Sequence, residues 1–234
     1  MKFSKWCLCM ILSIPGVGRA AEECAANPDW PNLAAYRVKN AELGAPAKGD
    51  ERVVFMGDSI TEFWDRTTAD LFANKAYVNR GISGQTSPQM LLRFRQDVID
   101  LDPAMVVILA GTNDIAGNTG PAPNEMIEAN IASMAELAKV HGIKVVLSSV
   151  PPASGFRWAP EINPRESIAA LNKWIEKFSR NNGFVYLDYY STMVDAGMGI
   201  KQEYSDDGVH PNAAGYKTMN GLVEKALATA RGSN

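Results

Sequence analysis

The 234-residue chain has two histidines, so chemistry that needs an imidazole has two places to start. His210 stands in Asp206-Asp207-Gly208-Val209-His210-Pro211-Asn212, three residues after Asp207. At that spacing a turn can bring the carboxylate back onto the ring. A carboxylate on one ring nitrogen fixes the tautomer and stabilises the imidazolium, which leaves the other nitrogen free to take a proton. Asp206 competes for the role, but the i to i+3 spacing favours Asp207. His141, beside Gly142 at the end of a helical run, suits a ring facing free helix carbonyls and is read as structural.

Near pH 7 a neutral imidazole can activate a hydroxyl. The run Val53-Val54-Phe55-Met56 breaks at Gly57-Asp58-Ser59 and presents one. Four apolar residues without polar alternation suit a strand covered on both faces of a parallel sheet. Gly57 allows a sharp turn at its carboxyl end, the edge where open α/β sheets place ligands. Gly-Asp-Ser alone is an ordinary turn; the residues further along make Ser59 a candidate nucleophile. Attack on an ester carbonyl develops an oxyanion that needs donors aimed at it in advance. The backbone N–H of Ser59, that of Gly84 in Gly81-Ile82-Ser83-Gly84, and the side-chain amide of Asn113 in Gly111-Thr112-Asn113-Asp114 are the candidates. Taken singly, Gly84 reads as a turn and Asn113 as a loop cap.

These residues need a frame that brings them to one edge. Apolar runs over 53–56, 77–79, 105–109, 144–147 and 184–187 read as five short strands. Helices alternate with them. One is punctuated by Ser87 as cap and Pro88 at its first position, with Leu91, Phe94 and Val98 on one face. The next is capped by Asn124, with Ile127, Ile131, Met134 and Ala138 in register until Gly142. A third opens at Asn163, Pro164 and Glu166 and presents Ile168, Leu171, Ile175 and Phe178. The last starts at Pro211 and turns Tyr216, Met219 and Val223 inward. Strands alternating with helices predict a parallel sheet wrapped on both sides, a three-layer α/β/α sandwich. A flavodoxin-like strand order is the commonest at this size. In such a sheet the loops after strands one, two, three and five open on one rim, and that rim receives Ser59, Gly84, Asn113, Asp207 and His210.

Residues 1–20 read as a secretory signal: Lys2 and Lys5, an apolar run from Trp6 to Val17, then Gly18-Arg19-Ala20. The run is too short to span a membrane, so export to the periplasm or medium, with cleavage near Ala20, is expected. Removing Lys2, Lys5 and Arg19 leaves 20 basic residues of 23 against 26 acidic ones, a net charge of −6. Without a basic run, binding to nucleic acid or anionic lipid is disfavoured. Cys7 and Cys9 leave with the signal, so Cys24 would remain as a single thiol with no disulfide partner. Residues 21–50 read as an arm, in which Trp30 and Tyr36 tack a short helix onto the body, and 51–234 as the catalytic domain. Nothing in the sequence speaks to oligomeric state.

Taken together, Gly57-Asp58-Ser59, Asn79-Arg80-Gly81-Ile82-Ser83-Gly84, Gly111-Thr112-Asn113-Asp114 and Asp207-Gly208-Val209-His210-Pro211 resemble, in order, the four sequence blocks of the SGNH (GDSL) hydrolase family. The resemblance spans residues 53–216. It implies Ser59 as nucleophile, His210 as base, Asp207 as its partner, and Ser59, Gly84 and Asn113 around the oxyanion. It further implies a flavodoxin-like sandwich that uses neither metal nor organic cofactor. The Gly-x-Ser-x-Gly elbow of the α/β-hydrolases is absent.

The family includes carbohydrate acetylesterases, lysophospholipases, thioesterases and arylesterases. An exported, acidic protein suits removal of small acyl groups, acetyl above all, from carbohydrate. Phe63, Trp64, Phe156 and Trp158 would offer faces for sugar rings, with lid or core packing as the equally weighted alternative. Two readings from other classes are weaker. A non-catalytic carbohydrate-binding protein should have lost one of Ser59, Asn113 or His210, and a zinc hydrolase would rest on one histidine among the scattered acids Asp58, Asp206 and Asp207.

Overall fold

The computed structural model describes residues 29–68 and 70–233. The signal expected over 1–20, its cleavage near Ala20, and Cys24 lie outside the described residues. Residues 31–234 form one compact unit, which holds the sheet and the site described below.

Five strands form one sheet: β1 (Val53–Gly57), β2 (Tyr77–Gly81), β3 (Met105–Ile108), β4 (Lys144–Ser148) and β5 (Val185–Leu187). All are parallel, in the order β2-β1-β3-β4-β5, the expected flavodoxin-like arrangement. β1 and β3 are central and wholly buried, which is why their sequences are continuous apolar runs. Each large apolar side chain covered this way contributes about 1.5 to 3 kcal/mol.

Alternate residues of each strand feed two cores. Val54, Met56, Val106, Ile108, Val145 and Leu147 pack against three helices on one face: α4 (Ser87–Asp97), α6 (Asn124–Val140) and α7 (Arg165–Asn182). Val53, Phe55, Met105, Val107 and Val146 pack on the other face against α9 (Ala213–Gly232), α3 (Trp64–Thr67) and α8 (Tyr190–Met193). The short helices α2 (Ser59–Glu62) and α5 (Thr112–Ile115) follow β1 and β3 directly, and α1 (Arg37–Leu43) precedes the sheet.

The helix faces agree with the sequence reading, but the caps differ. α4 is capped by Thr86, whose N–H donates to the Gln89 side chain at 3.0 Å; Ser87 turns inward instead, its hydroxyl 2.6 Å from Asp114. Asn124 opens α6 without capping it and donates across to the Ser167 carbonyl at 2.9 Å. α9 starts at Ala213, two residues past Pro211, because the Asn212 side chain accepts from the N–H groups of Ala214 and Gly215. Leu91 and Phe178 are only partly buried. In the arm, Tyr36 makes the expected tack, donating to the Gly81 carbonyl.

Candidate active site

Ser59 is the first residue of α2, reached from β1 through Gly57 and Asp58. Gly57 is required here for space. A β-carbon on it would lie 2.1 Å from the Thr61 hydroxyl oxygen and 3.1 Å from the Leu109 carbonyl oxygen. Asp58 caps the turn by accepting from the Ile60 N–H at 2.9 Å, which leaves the Ser59 N–H at the open end of the helix.

The Ser59 hydroxyl lies 2.9 Å from His210 Nε2, and His210 Nδ1 lies 2.7 Å from Asp207 Oδ2. Asp207 divides its two oxygens. Oδ2 holds the ring, and Oδ1 accepts from the backbone N–H groups of Val209 at 2.9 Å and His210 at 2.8 Å. Burial pushes the Asp207 carboxyl up, but the bonds from the His210 ring and these N–H groups outweigh it and hold it at about 2. The carboxylate is therefore charged at any pH where the imidazole can act as a base. Ser205, not singled out in the sequence, closes the turn: its hydroxyl oxygen accepts from the Gly208 N–H at 3.0 Å and lies 2.7 Å from the His210 carbonyl oxygen. Asp206 faces away and accepts from Asn212 at 3.2 Å. His141 stands at the exposed C-terminal end of α6.

Gly84 sits at φ +75, where a side chain would be strained. Neither its N–H nor that of Ser59 donates to a described residue. Asn113, in α5 at the end of β3, is 3% exposed and reaches the same cavity. Its amide donates to Asp58 Oδ2 at 3.2 Å and to the Gln85 carbonyl at 3.1 Å. Both N–H groups are therefore directed at protein acceptors, and an oxyanion would share one of them. Beneath the site the fully buried Arg93 donates to the Gly57 carbonyl at 3.0 Å and to the Gln85 side chain at 2.5 Å, joining the strand that leads to Ser59 to the Gly84 loop. Only its place on a helix face was visible in the sequence.

Ser59, Gly84, Asn113 and His210 line a cavity of about 260 Å³ with Phe63, Ser83, Asn118 and Trp158. The Phe63 ring centroid is 5.5 Å from that of His210, and the Trp158 centroid 6.3 Å. The other two aromatics expected to offer sugar faces do not reach it. Trp64 is 1% exposed, stacks on Tyr216 and donates to Asn220. It follows Phe63 by one residue in helical backbone, so its side chain leaves the chain in a different direction, into the core. Phe156 is 3% exposed and packs behind Trp158, with ring centroids 5.1 Å apart. Sequence reading missed Asn118 and Glu62, whose bonds are set by loop geometry alone.

Residues 55–218 match the family described as GDSL-like lipase/acylhydrolase. The chain is 32% identical over 174 residues to the esterase TesA of Pseudomonas aeruginosa, covering 71% of this chain and 78% of that one. It is 24% identical to an acetylxylan esterase of Xylanibacter ruminicola, covering 79% of this chain and 45% of that enzyme. Its fold superposes on a GDSL-like lipase from Bacteroides thetaiotaomicron with a TM-score of 0.84 and 48% identity, covering 86% of this chain and 98% of the other.

Proposed function

The chain belongs to the GDSL-like lipase/acylhydrolase family and is a carboxylic ester hydrolase, and from that premise we propose that it removes acetyl or similarly small acyl groups from carbohydrate esters through an acyl-enzyme at Ser59. The observation that carries the chemistry is the chain of contacts from Ser59 through His210 to Asp207, 2.9 and 2.7 Å long. Ser59 Oγ attacks the ester carbonyl as His210 Nε2 takes its proton. Asp207 holds the imidazolium that results, and the carbonyl oxygen, now negative, is met by the N–H groups of Ser59 and Gly84 and by the Asn113 amide. The imidazolium returns the proton to the alcohol as the C–O bond breaks. Water then attacks the acyl-enzyme with the same base assistance and releases the acid. Removing one oxyanion donor costs about 3 to 4 kcal/mol in a well-studied enzyme.

Three observations support the small acyl group and the sugar. The cavity of about 260 Å³ is small for a long chain. Phe63 and Trp158 stand beside the reacting atoms, where a sugar ring could lie against them. One relative is an acetylxylan esterase. Among the described residues no helix is long and apolar enough to cross a membrane. The basic start and apolar run of residues 1–20 support export with cleavage near Ala20, which N-terminal sequencing of the secreted protein tests.

A panel of p-nitrophenyl esters from acetate to palmitate, run beside acetylated xylo-oligosaccharides, tests the substrate. The expected result is kcat/KM falling steeply beyond butyrate, with acetate released from the oligosaccharide. A preference for chains of eight carbons or more would contradict it and favour the lysophospholipase or thioesterase alternative.

A further inference from the structure

We propose that Asn118 is a positioning residue that locks both the Gly84 peptide and the Asn113 amide into the geometry that meets the oxyanion, and ties them to Trp158; this rests on the esterase reading above. Its side chain spends three hydrogen bonds on the site. Nδ2 donates to the Gly84 carbonyl at 3.1 Å and to Asn113 Oδ1 at 2.9 Å, and Oδ1 accepts from Trp158 Nε1 at 3.0 Å. One amide thus touches two of the three groups assigned to the oxyanion, and the aromatic wall as well.

The bond to Gly84 matters because of what holds the other side of that residue. The Ser83 N–H donates to Glu62 Oε2 at 2.7 Å, and the Ser83 hydroxyl does so at 2.5 Å. Glu62 therefore fixes the peptide before Ser83–Gly84, and Asn118 fixes the one after it. The peptide between them carries the Gly84 N–H. Gly84 has no side chain to pack, and the nearest atom to a β-carbon built on it is Asn118 Nδ2 at 3.8 Å. Its orientation is set by these two flanking bonds together with the turn bond from the Gln85 N–H to the Ile82 carbonyl at 3.3 Å.

The bond to Asn113 acts on a different choice. A carboxamide can turn end for end, exchanging its oxygen for its NH₂. Asn118 presents a donor to Asn113 Oδ1, while Asp58 and the Gln85 carbonyl present acceptors to its Nδ2. Only one orientation satisfies all three, and it fixes which end of the amide is the NH₂, the group an oxyanion would need.

Asn118 is exposed, yet its backbone is fixed. Its N–H donates to the Asn113 carbonyl at 3.0 Å, and the Gly120 N–H donates to the Gly117 carbonyl at 3.0 Å. The hydroxyl of the next residue, Thr119, lies 3.0 Å from that of Thr86 at the cap of α4. A side chain that merely touched substrate from this position would affect the ground state and transition state alike, and so change KM. One that orients oxyanion donors acts only where charge develops, and so changes kcat.

The test uses p-nitrophenyl acetate with the wild-type enzyme, Asn118→Ala and Asn118→Asp, with active sites counted by titration with a reactive organophosphate so that unfolded molecules do not enter kcat. Asn118→Asp keeps the acceptor for Trp158 but sets a carboxylate oxygen against two carbonyl oxygens. Both steps of the reaction pass through an oxyanion, so kcat should fall about 10- to 100-fold in both variants with KM within about twofold. A wild-type kcat in both variants, or a loss confined to KM, would overturn the assignment. A wild-type enzyme inert toward the ester would instead remove the esterase reading on which it rests.

Discussion

A β-carbon on Gly81 would lie 2.1 Å from the backbone nitrogen of Glu62, so the end of β2 and the turn that carries Ser59 meet backbone to backbone. The next nearest atoms are the Asp58 carbonyl oxygen and Glu62 Cα, both at 2.7 Å, and no flexible side chain stands between to swing away. Gly81→Ala must therefore push α2 off the sheet. Overpacking of this kind costs about 1 to 3 kcal/mol, and displacement of Ser59 should lower kcat/KM more than 10-fold. Urea unfolding and ester kinetics measure the two losses, and a variant equal to wild type in both would show that the two segments separate freely.

Trp158 and Trp64 should respond in opposite ways. Trp158 is 45% exposed beside His210, whereas Trp64 is sealed in the core and hydrogen-bonded to Asn220 at 2.7 Å. Trp158→Ala should raise KM for an acetylated xylo-oligosaccharide about fivefold, the loss of roughly 1 kcal/mol of ring contact, with little change in thermal stability. Trp64→Phe should leave KM alone and lower stability by about 1 to 3 kcal/mol through the lost hydrogen bond and the space left behind. Steady-state kinetics and thermal melting of the pair separate the roles; a KM change in the Trp64 variant and not in the other would reverse them.

Asp58 gives a pH dependence of stability. Its carboxyl is fully buried, and burial pushes it up to about 7 against bonds from the Ile60 N–H and the field of His210. In the unfolded chain it titrates near 3.9. A carboxyl raised on folding favours the native state most below its unfolded value, and that contribution is lost as pH rises through the folded one. From pH 4 to pH 8 the wild type should lose stability relative to Asp58→Asn, read as a urea midpoint that falls with pH more steeply than the variant's. Parallel curves would show that Asp58 does not titrate in that window.

The sheet and the meeting of the candidate residues were legible because each rested on a strong local signal. Val53–Met56 and Met105–Leu109 are runs that only a doubly covered strand explains. Ser59, Gly84, Asn113, Asp207 and His210 stand in motifs whose order along the chain matches their meeting along one edge. The helix caps shifted by a residue because neighbouring groups compete for them. Ser87 is as good a cap as Thr86 until Asp114, 27 residues away, claims its hydroxyl. The aromatic wall was half legible for a similar reason: residues 63 and 64 look alike in sequence, and only packing decides which faces the cavity. Asn118, Glu62 and Arg93 were invisible because their partners come from distant segments, and Ser205 because its near neighbours Gly208 and His210 meet it through backbone groups, which no residue type announces.

The central claim is that Ser59 forms the covalent intermediate with His210 as its base. Incubating the enzyme with a reactive organophosphate and mapping the adduct by peptide mass tests it most directly. The expected result is one adduct per chain on Ser59, slowed strongly in His210→Asn, with Ser59→Ala folded, unlabelled and inactive toward p-nitrophenyl acetate. An adduct on another residue, or full turnover by Ser59→Ala, would contradict it.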